Sequence, residues 1–169
     1  CEETDRSYDL HLLGGADQAG NAMDDTILPE ALRVDCLAPQ LVESCLFAPN
    51  GASSQCSSIP ENSEYYRLED TIHFTFSLDE AAPGSWEVLL GDRLINACPE
   101  DQSDSTAGDD CCRFDSSRTE VSCWHTVSAD DGDGAYPLTA RVSDNVGNQR
   151  QLTLGTAILD ATAPQLVGP

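Results

Sequence analysis

The side chains of this 169-residue chain that could do chemistry are eight cysteines, three histidines and thirty carboxylates. The cysteines are Cys1, Cys36, Cys45, Cys56, Cys98, Cys111, Cys112 and Cys123. Their number is even and their spacing irregular, with no CxxC pair, which points to disulfides rather than a zinc site. Zinc would need closely spaced ligand pairs, and His11, His73 and His125 stand far apart in sequence. Disulfides place the chain in an oxidising compartment, secreted or at a cell surface. Nucleophile elbows, zinc-protease motifs and Gly-rich phosphate loops are all missing from the sequence, so no enzymatic activity is expected. Paired carboxylates are too common here to mark a glycosidase. Oxygen-rich turns such as Asp130, Asp131 and Asp133 have the hard ligands that calcium takes, although the run lacks EF-hand spacing.

Charge narrows the partners. All eight bases are arginine, and the net charge is −22 with a pI near 4.1. A basic phosphate-binding face is therefore excluded, and no nucleic-acid partner is expected. Docking on an anionic membrane is disfavoured, and no run reaches the ~20 apolar residues of a membrane-spanning helix. Hydrophobic residues make up 40%, enough for a packed core. No N-glycosylation sequon occurs.

The elements that position these residues repeat. Residues 35–42 read DCLAPQLV, and 125 residues on, 160–167 read DATAPQLV. Asp17-Gln-Ala-Gly-Asn21 matches Asp144-Asn-Val-Gly-Asn148 at an offset of 127, and Tyr8-Asp-Leu matches Tyr136-Pro-Leu at 128. Three matches in one order, with slowly drifting offsets, define a repeating unit. Residues 1–35 then read as the C-terminal strands of a preceding repeat and 36–159 as a complete one. Residues 160–169 read as the first strand of a following repeat. The chain is expected to be a window on a longer tandem array.

Within the complete unit the hydrophobic period is two. Ile72, Phe74, Phe76 and Leu78 share one face of Thr71–Leu78. Trp86, Val88 and Leu90 continue the pattern, as do Val121, Cys123 and His125, with Trp124 opposite. Tyr136, Leu138, Ala140 and Val142 line a further strand, and Leu152, Leu154, Thr156 and Ile158 another. Turn clusters separate them, and a short helical turn is predicted only within Pro60 to Asp70. Short antiparallel strands with such punctuation predict a β-sandwich. The hydroxyl of Tyr136 is placed to bond back to the corner before its strand.

Asp133-Gly134-x-Tyr136-x-Leu138, then Val142-x-Asp144-x-x-Gly147-Asn148, then Asp160-x-Thr162-Ala163-Pro164 resembles bacterial Ig-like repeats of surface and secreted proteins. Hyalin-type repeats are similar as well. The resemblance implies an all-β, Ig-like antiparallel β-sandwich in a tandem array, here stapled by disulfides. It implies a rod, stalk or filament segment serving adhesion or assembly; the alternative is an accessory, glycan-binding or spacer module of a secreted hydrolase. Partners would be neighbouring repeats or copies of the chain in a fibre. An exposed aromatic row, for which Trp124, Tyr65 and Tyr66 are candidates, would favour the alternative. No cysteine pair occupies the antibody-type positions, so the bridges are expected to staple loops and edges. Cys1 precedes one strand and Cys36 follows its antiparallel neighbour, and both are absent together from the second copy, so Cys1–Cys36 is predicted. Cys45–Cys56 would close a short loop, and Cys98, Cys111, Cys112 and Cys123 would form two bridges pinning an acidic insertion at 98–123. Adhesin arrays of this kind bind calcium at linkers, which makes Asp131, Asp133, Asp160 and Asp35 the candidate ligands. For Asp144 the competing and favoured reading is turn closure through backbone amides. Short Pro-containing linkers, Ala38-Pro39 and Ala163-Pro164, would limit bending.

Overall fold

The computed structural model describes residues 5–22, 24–49, 54–57, 63–82, 84–98 and 110–162. Cys1, the 99–109 part of the acidic insertion and Ala163-Pro164 lie outside them, as does most of the expected strand at 160–169. The chain divides into two compact units, Cys1–Leu37 and Ala38–Pro169. No α-helix occurs among the described residues.

The first unit is a hairpin of β1 (Arg6–Leu12) and β2 (Thr26–Val34), paired antiparallel. Tyr8 faces Leu32, but Leu10 faces Leu28, so β2 spends four residues where β1 spends two. Glu30, at φ 51°, sits in this bulge, and its amide donates to Asp9 Oδ1 at 2.9 Å.

The second unit carries ten strands. They are β3 (Leu41–Phe47), β4 (Ser54–Ser57), β5 (Ser63–Arg67), β6 (Thr71–Leu78), β7 (Trp86–Leu90) and β8 (Arg93–Ala97). The remainder are β9 (Cys111–Phe114), β10 (Glu120–Thr126), β11 (Gly134–Ser143) and β12 (Gln149–Asp160). Their order is β4-β3-β6-β10-β9-β8-β7-β11-β12-β5. Most neighbours are antiparallel; β8 and β9 touch as a short parallel pair, and β5 runs parallel to β12. The strip nearly closes on itself, because Ser44 Oγ donates to Leu154 O at 2.7 Å and Tyr66 Oη to Phe47 O at 2.5 Å.

Alternation explains the core. Every second residue of β6 is buried, giving Ile72, Phe74, Phe76 and Leu78 to one apolar cluster. Val121 and Cys123 of β10, Val88 and Leu90 of β7, and Leu138, Ala140 and Val142 of β11 complete it. Trp86 packs half-buried against the cluster, its ring edge-on to Phe114.

Four expectations are corrected. In β12 the buried residues are Leu152, Leu154, Ala157 and Leu159, not Thr156 and Ile158. A bulge pairs Leu138 with Gly155 and Thr139 with Thr153, and the unpaired Leu154 exchanges the two faces beyond it. The helical turn predicted near 60–70 is the strand β5, held by pairing with β12 and by the fully buried Tyr66. The strand read over 36–42, at the start of the complete repeat, is shorter than expected; residues 35–40 are irregular, and pairing starts at Leu41. Part of the expected insertion at 98–123 is internal to the sheet, since β9 and β10 are adjacent strands within it.

Candidate functional site

The two ends of the repeat motif are built alike. Asp144 Oδ1 accepts the amides of Val146, Gly147 and Asn148 at 2.9, 2.7 and 2.9 Å, and its Oδ2 accepts Asn148 Nδ2 at 2.7 Å. In the first unit Asp17 Oδ1 accepts the amides of Ala19 and Asn21, both at 2.9 Å, and its Oδ2 accepts Asn21 Nδ2 at 2.8 Å. The glycine of each motif sits at positive φ, 84° for Gly20 and 95° for Gly147, a conformation that L side chains rarely adopt. Asp144 is buried, which alone would raise its carboxyl. The Asn148 amide groups and the Val146 and Gly147 amides more than offset this and hold it below its ordinary value. For Asp17, Asn21 does the same. The motif is thus turn closure by a carboxylate, with Asn stitching the turn shut.

A second cluster gathers at the other end of β11. His125, on the inward face of β10, is 1% exposed. Its Nε2 lies 3.2 Å from Asp131 Oδ2, and its Nδ1 lies 3.2 Å from Asp110 Oδ1. Arg93, at the start of β8, reaches Asp131 Oδ1 at 2.6 Å and Asp110 Oδ2 at 3.5 Å. Asp131 also accepts the amide and hydroxyl of Ser128 at 2.7 and 2.9 Å. Burial pushes its carboxyl up, but Ser128 and His125 outweigh burial and the net shift is downward. Tyr136 donates its hydroxyl to the backbone carbonyl of Asp131. A pocket of about 500 Å³ opens beside Arg93, Asp131 and Tyr136.

The geometry of this cluster is that of a brace. The Asp131 carboxylate stands between Ser128 and His125, so the imidazole does not hold the serine proton as a general base would. His125 Nε2 and the buried Asp131 carboxylate satisfy each other, whereas His125 Nδ1, 3.2 Å from Asp110 Oδ1, makes no hydrogen bond among the described residues. Arg93, Asp110 and His125 were not singled out together by sequence. The legible signal was an imidazole on an apolar strand face beside Val121 and Cys123, which demands a polar partner from another element.

Of the candidate calcium ligands, Asp35, Asp131 and Asp133 have separate hydrogen-bond partners. Asp131 is spent on Arg93, His125 and Ser128. Asp133 Oδ1 accepts the Ala161 amide at 2.7 Å, and Thr162 with that amide draws its carboxyl below the ordinary value. Asp160 is exposed at the last position of β12. Asp35 belongs to the first unit, where its Oδ1 accepts the Leu37 amide at 3.3 Å. Among the described residues the one grouping with metal-ligand spacing is Glu43, Cys45 and Cys56, and its two sulfurs are bonded to each other.

Cys45 is bonded to Cys56, Cys98 to Cys111 and Cys112 to Cys123. Cys36 is also in a disulfide; the Cys1 end of the predicted Cys1–Cys36 bridge lies outside the described residues. The expectation that bridges staple only loops and edges is corrected. Cys112 and Cys123 are directly opposed on β9 and β10 and fully buried in the core, while Cys98–Cys111 reinforces the short β8–β9 contact.

Of the expected aromatic row, Tyr66 is buried and Tyr65 is 70% exposed. Trp124 belongs to a different row: Phe47, His73 and Trp124 stack across β3, β6 and β10, with centroids 4.3 and 5.1 Å apart. Burial there holds the His73 imidazole below its ordinary value. Among the described residues no helix is long and apolar enough to cross a membrane. Comparison with protein-family models, with curated proteins and with solved structures finds no match to the chain.

Proposed function

We propose that the chain is a structural Ig-like repeat segment of an extracellular or cell-surface protein, forming part of a rod, stalk or filament in adhesion or assembly. The observation that carries this reading is the duplication of one built corner. Asp17 and Asp144 close the same kind of turn 127 residues apart, each bonded to the Asn four residues on, and the hairpins around them pair Tyr8 with Leu32 and Tyr136 with Ala157, equivalent positions by the repeat offsets. Two copies of one unit in one chain are the beginning of an array. The sandwich assignment draws support from strand order. β3-β6-β10-β9 and β8-β7-β11-β12 follow the A-B-E-D and C-F-G orders of Ig domains with one strand added, and the Tyr136 bond to Asp131 is a tyrosine corner. Disulfide density supports an oxidising location. Linker calcium at Asp131, Asp133, Asp160 and Asp35 remains part of the proposal, and Asp160 is exposed at the last position of β12.

The alternative, a glycan-binding module, needs exposed ring faces. Phe47, His73 and Trp124 turn their faces toward one another, which supports the structural reading instead. Electron microscopy of the native full-length protein tests the choice. A rod beaded at about 40 Å, the length of a twelve-residue strand at ~3.3 Å per residue, is expected. A compact particle with a catalytic domain attached would overturn it in favour of the accessory module.

A further inference from the structure

The brace around His125 leaves beside it the pocket of about 500 Å³. Every residue that lines this pocket belongs to the second unit. The β7–β8 turn, the β10–β11 loop and the first residues of β11 form its walls. Leu90 and the Tyr136 ring supply apolar surface, and Asp92, Arg93, Asp130 and Asp131 supply charge.

The charges do not balance. Arg93 is the one cation in the lining, and it is already held by Asp131 at 2.6 Å and by Asp110 at 3.5 Å. Asp92 and Asp130 are exposed, and neither carboxylate has a hydrogen-bond or ion-pair partner among the described residues. A carboxylate only accepts hydrogen bonds, so whatever pairs with these two must bring donors. The ring beside them is fixed and bare. The Tyr136 hydroxyl is tied to the Asp131 carbonyl, and Gly91 adds no side chain where a Cβ would stand 3.0 Å from the ring. An aromatic ring next to unpaired carboxylates suits a cation that carries N–H donors on an apolar stem.

We propose that this pocket binds a lysine or arginine side chain carried by a basic partner protein. The ammonium or guanidinium group donates to Asp92 and Asp130, and the methylene stem lies along the Tyr136 ring. The bare ring favours such an organic cation over a metal ion, which takes oxygen ligands. Charge favours a different protein over a second copy: the chain has no lysine, and two chains of net charge −22 repel each other. The same field steers a basic partner toward the pocket. The inference uses the second unit alone and does not rest on the rod reading.

Amide chemical shifts of the whole chain, followed while a tetralysine peptide is added in about 0.15 M salt, test this. Saturable shifts are expected at Gly91, Asp92, Arg93, Asp130 and Asp131. The lysine ε-methylene protons should move upfield in the ring current of Tyr136, and equally so in Tyr136→Phe, which keeps the ring. Asp92→Asn combined with Asp130→Asn should weaken binding roughly 10-fold or more. The control is Glu43→Gln combined with Glu120→Gln, two exposed carboxylates paired on either side of Ser77 in the sheet, away from the pocket. It should change affinity by less than about 2-fold. Equal weakening by the two pairs overturns the proposal, because the attraction is then one of net charge only. Shifts that do not saturate overturn it too. So do shifts at the same amides that follow protein concentration without peptide, which assign the pocket to a second copy. The rod reading fails separately, on the shape of the particle in the microscope.

Discussion

Tyr136 donates its hydroxyl to the backbone carbonyl of Asp131, five residues earlier, while the Asp131 side chain faces away to His125 and Arg93. One residue therefore ties the corner between β10 and β11 twice, through its backbone to β11 and through its carboxylate to β10 and β8. Gly91 is part of the same fit. It sits at φ 59°, and a Cβ there would stand 3.0 Å from the Tyr136 ring. Tyr136→Phe leaves the Asp131 carbonyl without its donor and is expected to cost about 1–2 kcal/mol in urea unfolding. Gly91→Val, which adds both a clash and an unfavourable φ, should cost more.

Acid should unfold the protein over a window set by its turn carboxylates. Asp115 is held at about 2, against an ordinary 3.8, by the Ser117 hydroxyl and by the Glu120, Ser117 and Thr119 amides. Asp144 and Asp131 are also lowered. A carboxyl with a lowered folded value favours the folded state when ionised. Its contribution is whole above about pH 4 and is lost as the pH falls through the folded values toward 2. Unfolding free energies measured from pH 6 to pH 2 should be flat at first and then fall steeply. A flat profile down to pH 2 would contradict the assignment.

Asp144→Asn keeps one acceptor oxygen for the turn amides, whereas Asp144→Ala removes the carboxylate to which three of them donate. The alanine variant is expected to lose about 1–3 kcal/mol and the asparagine variant clearly less, as chemical denaturation will show.

Access decides the order of disulfide reduction. Cys56 is exposed, while Cys112 and Cys123 are fully buried. A soluble thiol should open Cys45–Cys56 first, and Cys112–Cys123 only when denaturant exposes the core, as stepwise alkylation and peptide mapping would record. Early loss of Cys112–Cys123 would mean that the sheet opens between β9 and β10 under native conditions.

Arg93→Met removes the cation shared by Asp110 and Asp131 and leaves two carboxylates facing His125. Arg93 is nearly half exposed, so solvent screens part of the effect. A loss of about 1–2 kcal/mol at low salt, shrinking at 1 M salt, is expected in denaturation experiments.

Much of the sheet was legible residue by residue. The alternation of Ile72, Phe74, Phe76 and Leu78 is local, and burial follows it without exception. The bulge at Leu154 was not legible, because an extra residue leaves the local pattern of β12 intact and shows only against its partner strand. β5 was missed for a related reason: its parallel pairing to β12 is made across nearly a hundred residues of chain.

By itself the sequence determined the all-β character, the positions of most strands, the duplicated D-x-x-G-N corner and the disulfide use of its cysteines. These follow from short-range chemistry: a period of two, a glycine at positive φ, a carboxylate within reach of the amides just after it. Only the tertiary structure decided that His125, Asp131, Asp110 and Arg93 meet, that Cys112–Cys123 lies in the core, and that the acidic side chains close turns. Those outcomes depend on which strands become neighbours. That choice is made by the whole core at once, through burial of faces whose partners lie far away in the chain.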